Sequence, residues 1–200
     1  MSTALLVVDV QNGFCHPDGS LPRLGRALDG AAAVANTAVA VARAREAGVP
    51  VVFTRHVYRP GRVDEGPRLA ELSGGLAELH GLELGTWAAD VVDELGCTAA
   101  DLVVDKARFD AFLWTSLDPL LQGLGVTGLV VCGVVTNVCV ESTVRAAFMR
   151  DYRVTLLEDC CAAMTRRQHE IGVEIMRDIG FAVIASIGGG FTFGALPEAA

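Results

Sequence analysis

Three side chains able to act together on a carbonyl stand at comparable points of the chain. Asp9 closes the apolar run ALLVV, Lys106 closes DLVVD, and Cys139 lies four residues past GLVVCGVV, inside the stretch GVVTNVCVES. A thiolate attacks carbonyl carbon, and a neighbouring carboxylate accepts the thiol proton. An ammonium beside them favours the thiolate while a charged Asp9 opposes it. That conflict disappears if Asp9 itself takes the proton and gains an ion pair with Lys106. The combination suits acyl transfer.

Taken singly, each residue has a plainer explanation. A free cysteine usually behaves as a small buried hydrophobe, an aspartate at a strand end is commonly a cap, and a lysine there commonly snorkels to water. The other five cysteines serve as a comparison: Cys132 lies within a strand run, Cys160 and Cys161 follow LLED, Cys97 ends a helix and Cys15 follows a turn. Cys139 alone sits at a strand-to-helix junction. A chain of this length and apolar content needs no disulfide frame, and no CxxC pair supplies a zinc or thioredoxin spacing. The segment GLGVTG, Gly123 to Gly128, matches a dinucleotide fingerprint in letters, but it precedes a strand where the fingerprint must follow one.

The elements that must position the triad are legible as runs. ALLVVDV, VPVVFTR, DLVVDK, GLVVCGVV, YRVTLLED and FAVIAS are short, Val-rich and continuous, as expected of strands covered on both faces. Helical stretches alternate with most of them, so the expected fold is α/β: a three-layer α/β/α, doubly wound, Rossmann-like sheet of about six mainly parallel strands. Its ligands gather beyond the carboxyl ends of the strands. In LDGAAAVANTAVAVARAREAG, Val34, Ala38, Val41 and Ala42 fall at helical spacing, with Gly48 as the stop. A helix opening near Val138 carries Val140, Val144 and Ala147 as a core stripe and pairs Glu141 with Arg145 on its outer face. Residues Val63 to Cys97 break the rhythm and read as an excursion over the strand ends, with a helix near Ala88 to Leu95.

With 200 residues, 52% of them hydrophobic, the chain is expected to form one domain over residues 1–200. A net charge of -8 without any Lys/Arg-rich block argues against nucleic acid or an anionic membrane as a partner. No apolar stretch reaches the about 20 residues of a membrane span, and MSTALLVVDVQNGF lacks the basic start and cleavage site of a signal peptide, so a cytoplasmic location is expected. The tail Gly188–Ala200 carries Phe191 and Phe193, which point to docking or to a subunit contact.

LLVVDVQNGF, VVDKARFDAFLWTSLDPLL and GVVTNVCVESTVRAAFMRDYRVTLLEDCCAA resemble the isochorismatase-like cysteine hydrolase superfamily, over about Ala4 to Ile184. The members most similar to this chain are amidohydrolases of small molecules such as ureidoacrylate, N-carbamoylsarcosine, biuret or nicotinamide. The resemblance implies a catalytic triad of Asp9, Lys106 and Cys139, a thioester intermediate, and a non-proline cis peptide between Val134 and Val135. It further implies an oxyanion hole from the backbone N–H groups of Val135 and Cys139.

Departures from relatives narrow the reading. Isochorismatases proper, which cleave a vinyl ether, lack a cysteine at the position of Cys139. Nicotinamidases bind a metal through an Asp-x-His pair, whereas TRHVYRP here has His56 with no Asp two residues before it, so no metal and no cofactor are expected. For substrate binding the candidates are Arg55, His56 and Tyr58 from this loop, with Phe14, Trp87 and Phe112 as apolar walls. Phe109 and Trp114 are further aromatics able to wall such a pocket, and core packing is the competing role for every one of them.

The leading expectation is a cysteine-nucleophile hydrolase cleaving the C–N bond of a small amide, ureido compound or lactam. It would work as a dimer or tetramer. Vinyl-ether hydrolysis with Asp9 acting alone as the acid, and a redox-responsive or ligand-binding protein that keeps the thiol without hydrolysis, stand as the alternatives.

Overall fold

The computed structural model describes residues 2–193. Strand β1 (Thr3–Val8) leads through short helical turns α1 (Asn12–Cys15) and α2 (Ser20–Arg23) to α3 (Ala31–Glu46) and β2 (Val51–His56). An excursion holding α4 (Pro67–Ser73) precedes β3 (Leu102–Lys106), and α5 (Leu117–Gly123) then leads to β4 (Gly128–Val134). Helix α6 (Glu141–Phe148), β5 (Arg153–Ala162), α7 (Arg166–Asp178) and β6 (Val183–Ala185) complete the order. The six strands form one sheet in the order β3-β2-β1-β4-β5-β6, and every neighbouring pair is parallel. All six expected strand runs are present.

Strand order reverses between β1 and β4. Right-handed crossovers on either side of such a reversal send the helices to opposite faces and leave a crevice at the carboxyl ends of the two central strands. From Ala4 to Val8 and along the whole of β4 every residue is buried, as a strand covered on both faces requires. Edge strand β3 alternates instead, with Val104 and Lys106 buried and Val103 and Asp105 exposed. Lys106 therefore shares its face with the core, and its partner in register is His56.

Close approach of β1 and β4 depends on Gly133, which has φ +126°; a Cβ there would lie 2.1 Å from the Val8 carbonyl oxygen. The pairing of β4 with β5 shifts register between Val131 and Gly133, so the end of β4 bends where the site begins.

Three local expectations change. Helix α3 buries Ala33, Thr37, Ala40, Val41 and Ala44, while Val34 and Ala38 are half-buried and Ala42 is exposed. In an Ala-rich helix several stripes fit the letters, and packing chooses among them. No helix forms over 88–95; 3₁₀ turns at Trp87–Ala89 and Asp93–Leu95 flank an extended stretch instead. Pairing with the segment after β1 pulls that stretch straight: Asn12 N–H donates to the Asp90 carbonyl, Val92 N–H donates to the Val10 carbonyl, and Gln11 bridges Val91. Before α6 comes a π-helical turn, Thr136–Val140, in which the Val140 N–H reaches back to the Val135 carbonyl.

Other readings hold in detail. Val140, Val144 and Ala147 have no exposure, and Arg145 Nη2 donates to Glu141 Oε1 at 2.7 Å. All six cysteines are free. GLGVTG runs from the end of α5 into β4, the reverse of a nucleotide-binding turn. Phe191 and Phe193 pack edge to face on the protein's own core, with ring centroids 5.2 Å apart, and the rest of the tail, 194–200, lies outside the described residues. No helix among the described residues is long and apolar enough to cross a membrane.

Candidate active site

Asp9 follows β1 directly and has φ +55°, a left-handed conformation uncommon outside glycine that aspartate tolerates better than most. Its Oδ1 accepts from Thr54 Oγ1 at 2.7 Å and its Oδ2 from Lys106 Nζ at 2.5 Å. Lys106 Nζ also donates to the Arg108 carbonyl at 3.0 Å. Neither the Asp9 nor the Lys106 side chain has any solvent exposure. Cys139, in the π turn, is 3% exposed, and its Sγ lies within 4.8 Å of an Asp9 carboxylate oxygen and of a His56 ring nitrogen.

Burial pushes the Cys139 thiol up to about 12; Lys106 pulls against this and Asp9 adds to it. Lys106 alone does not make a standing thiolate, as its charge suggested; at neutral pH the resting group is the thiol, beside a base. Burial also disfavours the Lys106 ammonium, but Asp9 and Cys139 outweigh that and hold it above its ordinary value. One fixed cation thus faces a carboxylate and a thiol proton.

The peptide between Val134 and Val135 is cis. The Val135 carbonyl accepts from the N–H groups of Val138 and Val140 at 2.9 and 3.2 Å. Among the described residues, no turn or loop hydrogen bond uses the Val135 N–H as its donor.

Cys139 opens onto a cavity of about 360 Å³. Val135 and Val138 flank the sulfur, Phe14 and Phe109 form one side with His56 and Tyr58, and Leu69, Leu72, Leu76 and Leu82 of the excursion make the roof. His56 Nε2 and the Tyr58 hydroxyl share a hydrogen bond of 2.7 Å, while His56 Nδ1 has no partner. Burial, followed by the charges of Lys106, Arg62 and Arg108, lowers the His56 ring well below its ordinary value, so it is neutral. Arg62 lies 4.1 Å from the Tyr58 ring centre and ties the roof down. It donates to Glu65 at 2.8 and 2.5 Å and to the Gly81 carbonyl at 2.7 Å, and Ser73 Oγ donates to Glu65 at 2.6 Å.

Of the residues expected at the site, Asp9, Lys106, Cys139, Val135, Phe14, His56 and Tyr58 converge. Arg55, Trp87 and Phe112 do not line this cavity. Arg55 is spent on Asp105, at 2.7 and 2.9 Å, and on Asp90 at 3.5 Å, because side chains alternate along β2 and His56 takes the inner face. Trp87 is half exposed with its ring edge-on to His16, and Phe112 stacks on Tyr152 in the core. Trp114 is 81% exposed, whereas Phe109 does line the cavity.

Two supporting residues were missed. Thr54 orients Asp9, and the fully buried Gln11 holds the ends of β1 and β2 together: its Oε1 accepts from the His56 N–H at 2.7 Å, and its Nε2 donates to the His56 and Ala89 carbonyls at 3.2 and 2.8 Å. A glutamine beside an unbroken apolar run was the available signal.

Asp9, His56 and Cys139 each offer one donor atom, all within 4.8 Å of one another, a mixed O, N and S set. The Lys106 ammonium already occupies the carboxylate there, so a dication would meet a fixed positive charge at hydrogen-bond distance from its oxygen ligand.

The family model described as the isochorismatase domain matches residues 3–187. Ureidoacrylate amidohydrolase RutB of Pantoea ananatis is 40% identical over 169 residues, 78% of this chain and 68% of that protein. RutB of Methylobacterium radiotolerans is 37% identical over 201 residues, 94% and 75% of the two chains. Among solved structures, a cysteine hydrolase from Pseudomonas syringae pv. phaseolicola superposes with a TM-score of 0.82 at 29% identity, covering 93% of this chain and 89% of that one. N-carbamoylsarcosine amidase from Thermoplasma acidophilum gives 0.74 at 27% identity, covering 94% and 97%. With its parallel sheet, its thiol at the strand switch point and these likenesses, the chain belongs to the isochorismatase family, among its amidohydrolase-like members.

Proposed function

We propose that the protein is a metal-independent hydrolase of a non-peptide C–N bond in a small amide, working through a thioester on Cys139. The observation that carries this reading is the Cys139 thiol in the cavity lining, within 4.8 Å of the carboxylate of a buried Asp9–Lys106 pair. Asp9 accepts the thiol proton as the sulfur attacks the amide carbon. The backbone N–H groups of Val135 and Cys139 receive the negative oxygen. Collapse breaks the C–N bond, and the leaving amine departs with the proton that Asp9 held. A water then attacks the thioester, gives its proton to Asp9, and releases the carboxylic acid as the proton returns to sulfur. Lys106 keeps the charges paired throughout.

Phe14, His56 and Tyr58 are the proposed substrate-binding residues. Ureido and carbamoyl compounds, named in the similar proteins, begin the test: ammonia or amine release is measured with the wild type and Cys139→Ala, and the acyl adduct on Cys139 is sought by intact mass. Release and an adduct that both vanish in Cys139→Ala are expected; equal turnover by the variant would overturn the thioester reading, and hydrolysis of a vinyl ether that survives the loss of Cys139 would favour Asp9 acting alone as the acid. Reversible peroxide oxidation of Cys139 with no turnover of any amide would favour the redox alternative.

A single cytoplasmic domain acting as a dimer or tetramer completes the proposal. Light scattering tests the assembly: a monomer at working concentration rejects it.

A further inference from the structure

Helix α7 lays one face on the turn that carries Cys139. His169, Gly172, Val173 and Met176 stand at i, i+3, i+4 and i+7, so a histidine and a glycine share the inward stripe with two apolar residues. The glycine marks a close approach: a Cβ on Gly172 would lie 3.2 to 3.4 Å from the Cβ, Cα and N atoms of Asn137, in the middle of the π turn. Val173 and Met176 are buried and fix the helix in place. At its start the Thr165 hydroxyl accepts from the Gln168 N–H at 3.2 Å and the Thr165 carbonyl from the His169 N–H at 3.1 Å, so His169 sits in a capped first turn.

The histidine meets a hydroxyl there. His169 Nδ1 lies 2.9 Å from Thr136 Oγ1, and among the described residues this is the one side-chain hydrogen bond between α7 and the turn. Thr136 has no solvent exposure, and its side chain makes no other hydrogen bond among the described residues. Asn137 Oδ1, on the next residue, is buried without a partner. Burial lowers the His169 ring below its ordinary value, with Glu158, Glu170 and Asp29 opposing it and Arg166 adding to it, so the ring is neutral at neutral pH. A neutral ring lets Nδ1 accept from the Thr136 hydroxyl. The reverse direction would leave the hydroxyl hydrogen without an acceptor in a dry position. Neither residue lines the cavity, so substrate contact does not account for the pair.

Thr136 stands between the two backbone donors assigned to the oxyanion, directly after Val135 and three residues before Cys139. The Val135 carbonyl, accepting from the Val138 and Val140 N–H groups, closes the turn from within; His169 grips it from outside. Resting on the amide-hydrolase reading above, we propose that His169 is a positioning residue, which through Thr136 keeps the Val135 and Cys139 N–H groups aimed at the developing oxyanion. Such aim matters as charge builds on the oxygen, so the contribution falls on the chemical step and not on substrate binding.

The test uses the full chain and the ureido and carbamoyl amides, with ammonia release as the readout. His169→Ala should lower kcat by about 10- to 100-fold, the scale of a small misplacement of catalytic groups, with KM within about twofold. His169→Asn, whose amide can place a polar atom where Nδ1 stands, should return kcat to within about threefold of the wild type. Wild-type kcat in His169→Ala, or a loss carried by KM, overturns the inference and leaves the hydrolase reading standing. So does a His169→Asn variant that melts with the wild type yet stays as slow as His169→Ala.

Thr136→Val cuts the same bond from the other side, so Thr136→Val/His169→Ala should be no slower than the slower single variant. Losses that multiply in the double variant overturn the coupling. Should His169→Ala fail to fold, Thr136→Ser and Thr136→Val carry the comparison: kcat is retained by the hydroxyl and lost without it, and equal kcat for the two overturns the inference. A wild type that gives neither ammonia nor an adduct on Cys139 with any of these amides overturns the hydrolase reading and this inference together.

Discussion

Lys106 Nζ and Asp9 Oδ2 lie 2.5 Å apart with no water contact, although their strands, β3 and β1, are separated in the sheet by β2. A buried pair of this kind contributes little net stability as a pair, but loss of one partner leaves an uncompensated charge. Lys106→Met should destabilise the fold by about 3 to 5 kcal/mol in urea melts. The double variant Asp9→Leu/Lys106→Met should recover most of that loss while remaining inactive. A single variant as stable as the wild type would mean that the pair is solvated in solution.

Thiol ionisation provides a second prediction, with its sign set by the neighbours. Burial and Asp9 both raise the Cys139 thiol, to about 12 with Lys106 opposing. Alkylation by iodoacetamide should be slow at pH 7 and climb through the alkaline range. In Asp9→Asn the repelling charge is gone, so the rise should begin at lower pH even though hydrolysis is lost. An unchanged or higher onset would show that Asp9 does not act on the thiol.

Gly133 and Gly125 separate space from backbone freedom. A Cβ on Gly133 would strike the β1 backbone, 2.1 Å from the Val8 oxygen, whereas Gly125, with φ +66°, has nothing within 4 Å. Gly133→Ala should cost about 4 kcal/mol or more, because β1 and β4 must separate next to the site. Gly125→Ala should cost about 1 kcal/mol, from conformation alone. Similar melting temperatures for the two would contradict the close strand approach.

Trp87 and Tyr58 test where the cavity wall is. Trp87 is half exposed and off the lining, so Trp87→Ala should leave kcat/KM within about threefold, the scale of a surface change of ~0.5 kcal/mol. Tyr58→Phe removes the hydroxyl shared with His56 Nε2 and should raise KM more than it lowers kcat. A larger loss from Trp87→Ala than from Tyr58→Phe would place the substrate on the other side of the excursion.

Strands were legible because a strand covered on both faces is written as a continuous apolar run, and α3 was legible as a helix but not in its buried stripe, since alanine fits either face. Arg55 and His56 illustrate the limit at the site. Adjacent strand residues point to opposite faces, and only the pairing of β2 with β3 makes Arg55 the partner of Asp105 and leaves His56 beside Lys106. Leu69, Leu72 and Leu76 do stand at i, i+3 and i+7, but the Gly and Pro residues around them break the run to barely two turns, and only the fold lays that short face over the cavity.

By itself the sequence determined which side chains end the strands, since that depends on local runs of apolar residues and the polar residue that stops each. Asp9, Lys106 and Cys139 were readable for that reason. Tertiary structure alone decided that the three converge, through the strand order β3-β2-β1-β4, which rests on pairings between distant segments. It also decided which polar groups stay free in the cavity, because whether Arg62 or Glu65 is available depends on the partners that folding brings to them.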